Sequence, residues 1–176
     1  LCEWGPLGGG TARRATKIGT DGVQGTITTT SNFPVESIEM EYPLLVEGYG
    51  IIENSGGAGK HRGGMGLRRV IRPVGHECLF NGALERATNR PWGIFGGGPG
   101  AAGRFLLQSA TASDQLATKP SGIAVSPDQR LVIESPGAGG YGKPAERSVD
   151  AIEGDTVGGK FSEAFIREHY GRGHKP

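Results

Sequence analysis

The chain has 176 residues, enough for one domain of ordinary size that buries roughly 70% of its unfolded surface. Its 33 glycines and 11 prolines make up a quarter of it, which excludes helix bundles and coiled coils, since each interior glycine costs about 1 kcal/mol in a helix. Hydrophobic residues at 35% argue against disorder. A net charge of +1 predicts neither a nucleic-acid partner nor a membrane-surface one.

Apolar runs such as Leu44-Leu45-Val46 and Leu131-Val132-Ile133 are far too short to span a bilayer. Cys2 and Cys78 make no CxxC pair and no disulfide framework. With no basic, then apolar, leader at the start, the expected location is the cytoplasm. The chain opens on Leu1 rather than an initiator methionine, which predicts a processed product, a cloned piece or the tail of something longer.

In chain order, residues 1–22 have no clear period and read as an irregular lead-in. Val23 to Thr30 is β-branched and predicts a strand. Asn32 is placed to cap a short helix near 34–42, with Pro34 in its first turn and Val35, Ile38 and Tyr42 at helical spacing. Strands are then expected over Leu44 to Glu53, Gly66 to Arg72, Glu77 to Leu84, Arg104 to Gln108 and Arg130 to Glu134. Turn signals about every ten residues predict a mainly β domain over 23–145, sandwich- or barrel-like. From 146 to 176 a small helical tail is expected. Ser148 caps a helix through Asp155, and Ser162 caps EAFIREHY with Phe165 and Tyr170 inward and Gly171 just beyond its end.

The motifs with chemical meaning mostly fail their context. Gly98 to Gly103 and Gly137 to Gly142 fit GxGxxG, but neither opens a helix, so both predict tight turns with positive φ rather than a dinucleotide site. Ser55 to His61 lacks the first Gly and the Ser/Thr of a Walker A loop. It reads as a structural glycine loop, with an anion cradle built from its N–H groups, Lys60 and Arg62 as the alternative. His61, His76, His169 and His174 make no ligand pair. Ser55 and Ser135 read as turn residues. Arg86 and Arg90 beside Trp92 allow a stacked anion pocket, against the simpler expectation that Trp92 plugs the core. On a strand, Arg68 and Arg72 would share a face and Arg69 take the other.

The order of the motifs is more specific than any one of them. Asp21-Gly22-Val23, Asn32-x-Pro34-x-Glu36, Tyr42-Pro43-Leu44, Ser55-Gly56-Gly57-Ala58-Gly59, Arg62-Gly63-Gly64-x-Gly66, Pro91-Trp92-Gly93, Gly97-Gly98-x-Gly100 and Ser135-Pro136-Gly137-x-Gly139-Gly140-Tyr141-Gly142 follow one another. Over about residues 21 to 172 this resembles the C-terminal part of the hydantoinase B/oxoprolinase family. The family often reads Thr-Asn-Thr ahead of Asn-x-Pro, where this chain has Thr28-Thr29-Thr30-Ser31-Asn32.

The resemblance implies a C-terminal segment or split subunit of an enzyme that opens cyclic amides (hydantoins, 5-oxoproline, lactams) at the expense of ATP. Its expected partners are an A-type ATP-binding subunit, which phosphorylates the carbonyl oxygen, and the N-terminal part of the B-type chain. ATP and a divalent metal are implied for the complete enzyme, and no cofactor for this segment, which alone should be inactive. Relatives that carboxylate acetone or acetophenone supply one alternative, and a non-catalytic assembly domain another. The candidate site residues are Asn32 and Glu36, orienting substrate or the groups around it, and Arg62, meeting phosphate or carboxylate. Their plainer readings are a cap, a first-turn carboxylate and a loop arginine.

Overall fold

The structure, a computed structural model, describes residues 19–22 and 33–171. The expected strand over Val23 to Thr30 and the candidate Asn32 lie outside them. The first element is the helix α1 (Val35–Glu41), whose N-cap position falls on Pro34 and whose buried residue is Ile38. It stops because Tyr42 precedes Pro43 and is extended, at φ −128° and ψ 144°.

Strands β1 (Leu44–Ile51), β2 (Leu67–Pro73), β4 (Arg104–Gln108), β5 (Ser113–Gln115) and β7 (Arg130–Glu134) form an antiparallel sheet in the order β1-β2-β7-β4-β5. Strands β3 (Cys78–Phe80) and β6 (Ile123–Val125) pair separately. The mainly β class is as expected. The sheet is open, however, and among the described residues no barrel closes. The strand expected over Glu77 to Leu84 shrinks to three residues, and β5 and β6 were not foreseen. Both are three residues long, too short to show alternation.

Alternation sets the faces of the large sheet. Arg69, Ile71 and Pro73 of β2 are buried, while Arg68, Val70 and Arg72 share the other face. On the face of Arg69 and Ile71, Phe80 of β3 meets Phe105 of β4 edge-to-face, with centroids 5.1 Å apart, and so seats the small sheet on the large one. On the opposite face Glu134 pairs with Arg68 and Arg104 from the two flanking strands. A register shift between Val46 and Gly48 lets Glu47 reach both Arg72 and Arg130.

Between the sheet and the C-terminal helices, the segments near 55–66, 91–103 and 135–142 lie side by side outside any regular helix or long strand. They bond to one another through the backbone. Gly57 N–H donates to Ala138 O (2.8 Å), Gly98 N–H to Ala58 O (2.7 Å), Ala101 N–H to Ser55 O (2.7 Å) and Gly140 N–H to Gly98 O (2.9 Å). Of the two GxGxxG matches only Gly142 has positive φ, so the tight-turn reading is corrected. These glycines are required by close approach. A Cβ on Gly63 would strike Ala138 O and one on Gly137 would strike Ser55 O, both far inside the 3.0 Å that real Cβ atoms respect.

The helices α2 (Val149–Val157) and α3 (Glu163–Tyr170) pack beneath this glycine layer. Their core joins Ile152, Phe161, Ile166 and Tyr170 to Ala58 and Met65, with each large apolar side chain contributing roughly 1.5–3 kcal/mol on burial. Ser148 holds the N-cap position of α2 without a side-chain bond, and the helix runs two residues past Asp155. In α3 the expected cap is present. Ser162 Oγ accepts from Phe165 N–H, and Gly171 takes the left-handed conformation at φ 63°. Ile166 rather than Phe165 shares the buried stripe with Tyr170. Phe165 is half-buried and stacks on Phe161 at 4.4 Å.

Candidate functional site

Arg62 sits where the glycine layer meets α2, and it is 2% exposed. Its Nη1 and Nη2 donate to the two carboxylate oxygens of Asp21, at 2.6 and 3.0 Å, and its Nε donates to Asp155 Oδ1 at 2.9 Å. Asp155 in turn accepts from Arg147 Nη2 at 2.5 Å, and Arg147 Nη1 donates to Lys60 O at 3.0 Å. Lys160 Nζ adds a second cation 3.4 Å from Asp21. Burial alone would raise the Asp21 pKa, but the bonds from Arg62 and Met65 N–H and the nearby cations outweigh it and hold the carboxyl below its ordinary value. Burial likewise disfavours the Arg62 cation, and its two carboxylate partners more than restore it. This is a buried bidentate network whose arginine meets carboxylates of its own chain.

Most of the donors that would make an anion cradle of Ser55 to His61 are engaged internally. Gly56 N–H reaches Met65 Sδ (3.2 Å), Gly57 N–H Ala138 O, Gly59 N–H the Tyr170 hydroxyl (3.2 Å), Lys60 N–H Gly142 O and His61 N–H Tyr141 O. The loop is structural. Ser55 closes the turn that starts at Ile52, whose O accepts from both its N–H and its hydroxyl, and Ser55 and Ser135 are also buried pins: Ser55 Oγ accepts from Gly66 N–H and Ser135 Oγ from Leu67 N–H. Sequence reasoning also missed Asn54. It stands in the left-handed region at φ 61°, and its side chain both donates to Ser162 Oγ (3.0 Å) and accepts from Ser162 N–H (2.8 Å). Asn tolerates this conformation better than most residues, which was the available signal.

Glu36 is exposed in the first turn of α1, and no described hydrogen bond or ion pair joins it to Arg62. Trp92 does not plug the core, being 66% exposed. The Arg86 guanidinium lies over its ring at 4.7 Å, while Arg90 Nε donates to Gly100 O at 2.8 Å. Next to Trp92 are Ile94 and Phe95, the latter 74% exposed and held at φ 52°. Phe95 lies against Tyr141 at 5.1 Å, and Tyr141 bridges to both Ile94 and His61.

Among the described residues no three His, Cys, Asp or Glu converge as metal ligands. With most of the glycine-loop donors also engaged, these residues fit neither a metal nor a nucleotide phosphate. No helix among the described residues is long and apolar enough to cross a membrane.

Residues 3–144 match the family described as hydantoinase B/oxoprolinase, and the chain belongs to that family. It is 38% identical over 131 residues to an uncharacterised protein of Methanocaldococcus jannaschii, covering 74% of this chain and 23% of that one. Against 5-oxoprolinase 1 of Arabidopsis thaliana it is 37% identical over 140 residues, covering 77% of this chain and 11% of the relative. Caprolactamase subunit beta of Pseudomonas jessenii is 28% identical over 141 residues, 78% of this chain and 24% of its own. The chain therefore spans a quarter or less of these relatives. Its fold recurs in acetone carboxylase (TM-score 0.79, 21% identity, 96% of this chain and 27% of that one). It recurs also in the ATP-dependent caprolactamase of Pseudomonas jessenii (TM-score 0.73, 22% identity, 96% and 30%).

Proposed function

We propose that this chain is a framework segment or split subunit of an ATP-dependent, cytoplasmic amidohydrolase that opens a cyclic amide such as a hydantoin, 5-oxoproline or a lactam. The observation that carries the reading is family membership over 3–144, together with relatives named as a 5-oxoprolinase and a caprolactamase subunit. The reaction consumes the cyclic amide, ATP and two waters, one for the amide and one for the phosphoryl group, and yields ADP, phosphate and the ring-opened acid: an amino acid from 5-oxoproline or a lactam, an N-carbamoyl amino acid from a hydantoin. An A-type subunit supplies the ATP site, and the rest of the B-type architecture supplies the metal-bearing centre. This segment holds that centre's surroundings in place.

Within it, Asn32 and Glu36 are the candidates to orient substrate or its neighbours. Arg62 is a positioning residue, since both ends of its guanidinium are occupied by Asp21 and Asp155. The engaged donors of the glycine loop favour a non-catalytic framework over a segment with a site of its own.

The test is recovery of the chain from its native host, with its companions identified by peptide mass spectrometry and the assembly assayed for ATP-dependent ring opening. An A-type subunit and amide hydrolysis support the reading. ATP-dependent fixation of bicarbonate onto a ketone, with no hydrolysis, would replace it by a carboxylase component. Recovery of the chain alone and inactive would remove the enzymatic role.

A further inference from the structure

Asn81 and Gly82 follow β3 directly. An Asn-Gly pair is the dipeptide most open to backbone attack on the Asn carboxamide, because glycine has no Cβ to obstruct it. Packing favours the glycine here. A Cβ on Gly82 would lie 2.7 Å from the tip of the Phe80 ring and 3.0 Å from the Phe105 ring. Asn81 itself is exposed, so water reaches its side chain and ammonia can leave.

Both reacting groups are engaged by the opposite strand of the small sheet. The pairing of β3 with β6 reaches Phe80 and Ile123, and backbone bonding continues past it. Gly82 N–H donates to Pro120 O at 3.0 Å, and Leu84 N–H to Thr118 O at 2.9 Å. Asn81 Oδ1 accepts from Gly122 N–H at 2.8 Å and from the Ser121 hydroxyl at 3.1 Å. The nucleophile and the carboxamide are thus both held by residues 120–122.

We infer that Asn81 is a deamidation site gated by the small sheet, shut while segment 118–125 is paired and open when that segment lifts away. Gly82 N, its proton given to hydroxide, then attacks Asn81 Cγ. The bond between Gly82 N and Cγ forms, the Cγ–Nδ2 bond breaks, and Nδ2 leaves as ammonia after taking a proton from water. Water then opens the imide at either carbonyl. One product is aspartate, whose carboxylate still accepts from Ser121 and Gly122. The other is isoaspartate, which routes the chain through the former side-chain carbonyl and adds a methylene to the backbone. That extra atom puts Gly82 and Leu84 out of step with Pro120 and Thr118, so the sheet cannot close as before. The site uses only β3, β6 and the segments beside them, and is independent of the enzymatic reading.

The experiment uses the complete B-type protein, aged at neutral pH and digested for peptide mass spectrometry, which reads amide-to-acid conversion at Asn81. Denaturing urea should speed conversion about tenfold or more over the native protein, since it abolishes the pairing that local opening must otherwise break. Val125→Ala leaves a cavity beneath β6. It should speed conversion in the native protein and leave the rate in urea unchanged. Amide exchange at Gly82 and Leu84 should rise in the isoaspartate form and stay at the wild-type level in Asn81→Asp. Equal rates in native and denatured protein, or a native rate unmoved by Val125→Ala, would overturn the gate. An Asn81 amide that survives in urea would overturn the site.

Discussion

Arg62 and Asp155 are 93 residues apart in sequence, yet Arg62 Nε donates to Asp155 Oδ1 at 2.9 Å. That one bond ties the glycine layer to α2. The bond from Arg147 to the other oxygen of Asp155 makes the carboxylate the centre of a buried network.

The network predicts unequal costs. Removing one partner of a buried pair costs about 3–5 kcal/mol. Arg62→Met leaves Asp21 with Lys160 and Asp155 with Arg147, so it should fall at the low end. Asp155→Ala leaves Arg147 without its described carboxylate partner and should cost more. Urea unfolding of the complete protein measures both; a smaller loss for Asp155→Ala would contradict the arrangement. In the assembled enzyme, Arg62→Met should lower turnover in step with folded protein while the KM for ATP stays unchanged.

The glycine layer predicts substitutions of opposite sign. Gly63→Ala forces a Cβ onto Ala138 O and should destabilise by about 1–3 kcal/mol or more, as overpacking does. Gly154 lies within α2 with nothing within 4 Å of its would-be Cβ, so Gly154→Ala should stabilise by about 1 kcal/mol. Melting temperatures moving in the same direction for both would refute the close-approach account.

Acid should unfold the chain through specific carboxyls. Burial pushes the Glu134 pKa up, but Arg104 and Arg68 overcome it and hold the carboxyl low, as Arg62 and its neighbours do for Asp21. Both groups have folded pKa values below their unfolded ones. Their contribution is therefore complete above the unfolded value, near pH 4, and is lost as pH falls below it. Glu134→Gln should flatten the acid limb of a stability–pH curve while changing little of its shape above about pH 5. An unaltered acid limb would remove Glu134 from this role.

The clasp between Asn54 and Ser162 predicts that Ser162→Ala costs about 1 kcal/mol through its lost cap, and somewhat more because Asn54 loses its hydroxyl partner. Amide exchange should rise first at Phe165, whose N–H that hydroxyl holds. Unchanged exchange there would show that the cap is not what holds the start of α3.

Local signals were legible and close approaches were not. Strands β4 and β7 and helix α3 have the bounds expected from apolar runs, a Ser cap and a terminal Gly. The glycines were read as turn residues because sequence reports what a residue permits rather than what presses against it. Only the folded chain shows Trp92 O beside Gly139 or Ser55 O beside Gly137. Arg62 stood out in sequence, but its carboxylate partners lie 41 and 93 residues away, and no spacing rule links them. Trp92 was expected to plug the core; instead its backbone packs against Gly139 and its ring is exposed.

ATP-coupled ring opening by the complete enzyme tests the functional account most directly. With 5-oxoproline, hydantoin and caprolactam as substrates, the account predicts ring-opened product and ADP in equal amounts for at least one of them, both abolished when this segment is left out. Product formed at the same rate without the segment, or without ATP, would contradict it.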